Sequence, residues 1–217
     1  MMVTTLDQLR SCIAWRLGMR PPTMVERREP FQWNEFVDLA AHGRPKQRGL
    51  EDRIELAQWY ARWRLPKLGK GAARAVYRLS SRYALKVALD VPGTLQSMRE
   101  ISASERLPAS APIARVRHHD QDGVWLLSDL ARGVHDHQEF MQLAGIDIVD
   151  LGEQLLEIRH DASKGRSPRP GLYDDLAVQT WKVMQVEDLA VVDIKRLEHW
   201  GVTPDRRLVL LDYGYVA

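Results

Sequence analysis

The spacing of apolar residues changes twice along this chain and divides it into three stretches. From the start to about residue 66, Leu6, Leu9, Ile13 and Leu17 recur at helical intervals, as do Leu50, Ile54, Ala57 and the Trp59/Trp63 pair. Breaks are predicted at Pro21-Pro22 and across the polar run 42–49. After Pro66 the period shortens. Residues 75–79 and 83–88 read as strands joined at Ser80-Ser81-Arg82, and 115–118 with 124–127 read as a second hairpin around Asp120-Gln121-Asp122-Gly123. Between the hairpins, 94–107 has helical character, and Pro108 and Pro112 mark its exit. Beyond Gly133 the pattern turns helical again. Ile148, Leu151, Leu155 and Ile158 form one stripe; Leu172, Leu176, Trp181 and Met184 belong to a later helix, after a polar loop over 161–171. The run 207–212 ends on a carboxylate and, with 200–202 before the Pro204-Asp205 turn, predicts a last small hairpin. The expected class is α+β, in three parts: a helical extension over 1–66, a β-rich unit over 67–133 and a helical unit over 134–217.

Composition agrees with a folded core. The 217 residues are 45% hydrophobic and 28% charged, and seven tryptophans supply large pieces of buried surface. A net charge of +2 argues against a nucleic-acid partner, although Arg62, Arg64, Lys67, Lys70 and Arg74 give one stretch a positive field. The single cysteine, Cys12, excludes an internal disulfide and fits a reducing cytoplasm. No run approaches the roughly eighteen apolar residues of a membrane span, and the N-terminus lacks the order of a secretory signal. The expectation is a cytoplasmic protein with no membrane partner.

Lys86 is the most informative residue. It lies in Tyr83-Ala84-Leu85-Lys86-Val87-Ala88, and an ammonium with apolar neighbours in a half-buried strand costs free energy unless something negative meets it. Upstream stands a glycine loop, Gly69-Lys70-Gly71-Ala72-Ala73-Arg74-Ala75-Val76, whose two glycines let backbone N–H groups approach phosphates closely. Downstream, Glu100 is placed on the next helix to hold the ammonium, and the late Leu211-Asp212-Tyr213-Gly214 offers a hard oxygen ligand for Mg²⁺. His118-His119-Asp120 and His135-Asp136-His137 lack a matched four-ligand set and read as solvated turns rather than zinc sites. Cys12 reads as a small core residue, and Trp59 and Trp63 as packing against the rest of the fold.

In order and rough spacing these residues resemble the signature set of the protein kinases, over about two thirds of the chain from Gly69 to Gly214. The resemblance implies a small β-rich N-lobe, a reduced helical C-lobe and an N-terminal helical extension. It implies ATP and Mg²⁺ between the lobes, with adenine near Leu127-Ser128-Asp129-Leu130. Gly69, Gly71 and Val76 then cover the nucleotide, Lys86 neutralises phosphate, Glu100 holds Lys86, and Asp212 binds the metal. Arg74 replaces the third glycine. It either clamps phosphate or obstructs it, and packing or an ion pair explains it equally. Val191-Val192-Asp193-Ile194-Lys195 resembles His-Arg-Asp-Leu-Lys, which makes Asp193 the catalytic base and Lys195 a contact of the transferred phosphate. The kinase asparagine that follows is replaced by Glu198, or by His199 if the loop is one residue longer; glutamate still ligates Mg²⁺, and imidazole does so poorly. With Ala217 three residues after Gly214, the expectation is a protein without an activation segment, an Ala-Pro-Glu element or a helical substrate-binding subdomain. Short kinase-like proteins encoded by bacteriophages look similar. Two readings stay open: a kinase that transfers phosphate to a protein, and a pseudokinase that binds and modulates a host protein. A small-molecule phosphotransferase is a third.

Overall fold

Two separate apolar cores organise the molecule. The computed structural model describes residues 30–42, 49–168, 171–187 and 189–211. The expected helical stripe from Leu6 to Leu17, Cys12 and the Asp212-Tyr213-Gly214 element lie outside the described residues.

The first core joins two helices to a sheet. Helix α1 (Trp33–His42) and helix α2 (Leu50–Arg64) precede three strands, β1 (Lys67–Lys70), β2 (Arg74–Arg78) and β3 (Tyr83–Ala88). Helix α3 (Val91–Arg106) follows, then β4 (Val116–His119) and β5 (Trp125–Asp129). The five strands form one antiparallel sheet in the order β1-β2-β3-β5-β4. Because side chains alternate along a strand, the sheet has two faces with different duties. Ala75, Tyr77, Leu85, Val87 and Trp125 point to one face and pack with Phe36, Ile54, Ala57, Trp59 and Tyr60 of the two N-terminal helices. Arg74, Val76 and Lys86 occupy the opposite face; Val76 is the cross-strand partner of Lys86, and Leu126 pairs with Lys86 from β5. The stretch read as an extension therefore roofs the outer face of the sheet. Within that roof Tyr60 of α2 ties the helices together: its hydroxyl donates to Glu35 of α1 at 2.5 Å, and burial together with that bond pushes the phenol up to about 12.

The second core is helical. After the two-residue strand β6 (Arg132–Gly133) come α4 (His137–Ala144), α5 (Ile148–Ser163), α6 (Asp175–Glu187) and the single turn α7 (Val191–Ile194). A 3₁₀ turn, Leu197–His199, leads into β7 (Trp200–Val202) and β8 (Leu208–Leu210); β7 pairs with β6 on one side and β8 on the other, in the order β6-β7-β8. Leu151, Leu155 and Ile158 of α5 pack with Phe140, Met184, Ile194 and Trp200, and the end of α3 joins this core through Ala103 and the capping Leu107. The segment after α3 ties the cores together. Ala114 N–H donates to Leu210 O at 3.0 Å, and Leu210 N–H donates to Pro112 O at 2.8 Å.

Local chemistry explains where the elements begin. Helix α3 starts three residues before the expected 94, because Asp90 caps it by accepting from Gly93 N–H at 2.8 Å and Pro92 suits a first turn. The glycine loop is shorter than the sequence suggested. Lys67–Lys70 is a strand, and the turn is only 71–73, closed by Gly71 N–H donating to Arg74 O at 2.9 Å. Asp136, between the two histidines of the expected turn, caps α4. Leu172 stands before α6, exposed, rather than in it.

Candidate functional site

The sheet register decides which charged side chains meet. Arg74 on β2 pairs with Ala88, and Lys86 lies two residues back from Ala88 on β3, so the two cations are diagonal neighbours on the face turned away from α1 and α2. Across from them α3 presents Glu100, which has no exposed surface. Lys86 Nζ donates to Glu100 Oε2 at 2.8 Å and to Oε1 at 3.1 Å. Arg74 Nη2 donates to the same Oε1 at 2.6 Å. All three groups are buried, with Arg74 5% and Lys86 7% exposed. Burial pushes the Glu100 carboxyl up, but Arg74 first and Lys86 second outweigh it and hold the group below the ordinary carboxylate range.

A chain of hydrogen bonds runs from this cluster to the segment expected to be catalytic. Lys86 Nζ also donates to Leu211 O at 2.7 Å, immediately before Asp212 in sequence. Leu211 N–H donates to His199 O at 2.8 Å, and the His199 ring meets Asp193 O through Nδ1 at 2.9 Å. A carbonyl only accepts, so Nδ1 carries a proton there. Trp200 Nε1–H, donating to Ile194 O at 2.7 Å, fixes α7 beside it. Asp193 is half-buried on α7. Lys195 is exposed, with its stem lying over Gly152 of α5, where a Cβ would come within 2.6 Å of it. Glu198 is exposed and paired with Arg196 at 2.8 Å, and its own backbone N–H together with Arg196 holds its carboxyl low. His199, and not Glu198, is therefore the side chain folded back onto Asp193.

Space for a ligand lies along the same strands. A cavity of about 660 Å³ is lined by Leu68, Leu130, Gly133, Glu139, Val202 and Arg206, among others. Of the connection expected to hold adenine, Leu130 lines it. Lys86, Glu100, Arg74 and Asp193 do not. The cavity sits at the Val202/Leu208 end of the β7–β8 pair, whereas Lys86 touches Leu211 beyond the other end. Three residue steps separate Leu208 from Leu211, about 10 Å of extended chain. Gly69 and Gly71, on the hairpin beside Leu68, stand in open space: a Cβ on Gly69 would meet nothing within 4 Å, and one on Gly71 only Arg74 O at 3.8 Å. Packing among the described residues does not demand glycine at either position. Arg132, fork-paired with Glu139, keeps Glu139 at about 2 and stiffens the rim of the cavity. Among the described residues, no group of three or more His, Cys, Asp or Glu is arranged to hold a metal. His118 and His119 are exposed on β4.

Lys86 and Glu100 meet on the inner face of the sheet, and three other contacts accompany this pair. Arg74 shares Glu100, the Leu211 carbonyl accepts from Lys86, and His199 binds Asp193 O. Arg74 carried a signal, since it stands two residues before Val76 and so falls on the Lys86 face once β2 is extended by one residue.

The molecule thus has an α+β fold: a five-stranded antiparallel sheet with one helix inserted between its third and fourth strands, followed by a helical part with a small three-stranded sheet. No family model and no curated protein matches the chain. Among solved structures it is similar to the streptomycin–ATP–APH(2")-IIa ternary complex, an aminoglycoside phosphotransferase, with 12% identity and a TM-score of 0.35 over 69% of this chain and 65% of that one. It is similar also to SAICAR synthase from Saccharomyces cerevisiae complexed with SAICAR, with 11% identity and a TM-score of 0.31 over 68% of this chain and 72% of that one. The chain thus spans 65% of the first structure's length. These likenesses concern the fold alone.

Proposed function

We propose that this protein binds ATP with Mg²⁺ between its two lobes and transfers phosphate to a protein. The observation that carries this is the placement of Lys86, held by Glu100 and bonded to the carbonyl before Asp212. The nucleoside occupies the cavity between Leu68 and Val202, against Leu130. Gly69, Gly71 and Val76 would cover the phosphates, and Lys86 would meet their charge. The residues fit such a ligand: a buried cation cluster, a cavity beside the same sheet and two glycines free of packing duty on its first hairpin. Lys86 supplies charge to the phosphates, and Asp212, the residue after Leu211, is the metal ligand in this reading. Asp193 accepts a proton from the incoming hydroxyl, and Lys195 contacts the transferred group. Charge neutralisation and positioning dominate phosphoryl transfer, and these side chains are of the types that provide both.

A second reading, a pseudokinase that binds and modulates a host protein, is favoured by one observation. Glu198 is committed to Arg196 at the surface and His199 to Asp193 O, so neither offers the second hard ligand that a metal-bound triphosphate needs. Calorimetric titration with ATP and Mg²⁺, followed by transfer from labelled ATP to protein acceptors, separates the readings. One-site binding that is lost in Lys86→Ala is expected, and transfer decides for the kinase. No heat at high ATP overturns the kinase reading. A host protein retained equally by wild type and a Lys86→Ala/Asp212→Ala double variant decides for a binding module.

A further inference from the structure

We propose that Arg74 is the positioning residue that keeps Glu100, and with it helix α3, docked on the sheet, so that Lys86 turns to a ligand anion without leaving the buried acid unpaired. The nucleotide reading supplies Lys86's part in this, and Arg74's part stands on geometry alone.

Glu100 Oε1 accepts from both cations, Arg74 at 2.6 Å and Lys86 at 3.1 Å, while Oε2 accepts from Lys86 at 2.8 Å. The Lys86–Oε1 bond is the longest of these and the one that another donor duplicates. An ammonium has three donors, and Lys86 is within reach of Oε1, Oε2 and Leu211 O. An arriving phosphate oxygen displaces the duplicated contact at least cost, because Arg74 stays on Oε1. If Lys86 were the sole partner, its movement would strip charge compensation from a carboxylate with no exposed surface, which is the most expensive way to disrupt a buried pair. Arginine suits the anchoring role, since its guanidinium stays charged and its planar fork loses less freedom per bond than a lysine stem.

The backbone around Arg74 reinforces the tie. Leu89 N–H donates to Ala73 O at 2.8 Å, and Gly93 of α3 lies so close that a Cβ there would stand 2.1 Å from the same oxygen. The start of β2 and the start of α3 are thus in contact through backbone, and one full turn and more along the helix Arg74 meets Glu100. The helix stays docked with and without nucleotide, and no swing of α3 is needed to assemble the site.

Hydrogen exchange of α3 amides and Mg-ATP titration, on wild type, Lys86→Ala, Arg74→Ala and Arg74→Lys, test this. In the free protein Lys86→Ala leaves α3 protected as in wild type, Arg74→Ala speeds its exchange by about 100-fold or more, and Arg74→Lys restores much of the protection. A second readout separates anchoring from a general structural role. In Arg74→Ala the nucleotide competes with Glu100 for Lys86, so Mg-ATP speeds α3 exchange, whereas in wild type it does not. The assignment is overturned if Lys86→Ala releases α3 as far as Arg74→Ala, if Arg74→Ala leaves exchange unchanged, or if Mg-ATP protects α3 in Arg74→Ala. Should Arg74→Ala not fold, Lys86→Ala releasing α3 further than Arg74→Lys overturns it equally. If wild type binds no nucleotide, the nucleotide reading falls, and the exchange of the free variants still decides Arg74.

Discussion

Glu100 is an acid that native packing keeps ionised, with two cations on it and no contact with water. Removing it leaves Arg74 and Lys86 facing each other in a dry site. Glu100→Ala is therefore expected to lower unfolding free energy by about 3–5 kcal/mol in urea titration. The pH dependence has a definite sign. Because the folded carboxyl lies below its unfolded value of about 4.3, its stabilisation is fully present above that value and is lost as pH falls through the lower folded one. Acid titration of Glu100→Gln should lack this part of the transition. How far the cluster could be read from sequence follows from the same residues. Lys86 was legible because a charge in an apolar strand needs an explanation, and Glu100 because a helix follows at the right distance. Arg74 was legible only in part: its spacing from Val76 assigns it the Lys86 face, but a loop carried through to Val76 hides that spacing. The link from His199 to Asp193 O has no sequence mark, since nothing in the order of residues says which ring nitrogen turns back.

Among the elements, α1 and α2 gain most from the structure. Their apolar residues were visible as helical spacing, but nothing in that spacing told that they cover the sheet. Phe36 is wholly buried between Tyr60 and Trp125, with ring centroids at 5.8 and 5.6 Å. Phe36→Ala is expected to destabilise the β-rich lobe by about 3–5 kcal/mol, read as a lower melting temperature, even though Phe36 is remote from Lys86. A second element contact joins α3 to α6, where Arg106 Nη2 lies 3.2 Å from Glu187 Oε1. Burial raises the Glu187 carboxyl, and Arg106 offsets only part of that. The sign is opposite to that of Glu100: the group's favourable contribution is present below the unfolded value and is lost as pH rises through the raised folded one. Glu187→Gln should therefore stabilise at neutral pH, and the gain should vanish below about pH 4, as followed by melting temperature across pH. The hairpins were legible from Ser80-Ser81-Arg82 and from Asp120 to Gly123, whose turn chemistry is local. The two-residue β6 was not, because its partner β7 lies far along the chain.

At the scale of the molecule, the two cores meet through hydrogen bonds between residues 112–114 and β8, and Lys86 reaches the residue that follows β8. A ligand between the lobes is thus coupled to the stability of both. Mg-ATP at about 100 times its dissociation constant should add about 2.7 kcal/mol to unfolding free energy, visible as a rise in melting temperature that Lys86→Ala abolishes. The division at residue 66 was drawn where the apolar period changes. That point falls between α2 and β1, and a change of period is blind to the two elements sharing one core.

The helical roof also has a spectroscopic consequence. Trp33, Trp59, Trp63 and Trp125 gather behind the sheet, and Trp181 and Trp200 sit in or against the helical core. None of these indoles lines the cavity below Leu68. The fluorescence of these six indoles will follow denaturation and stay nearly silent when the cleft fills, so a dye placed at the exposed Arg206 rim is the better reporter of occupancy.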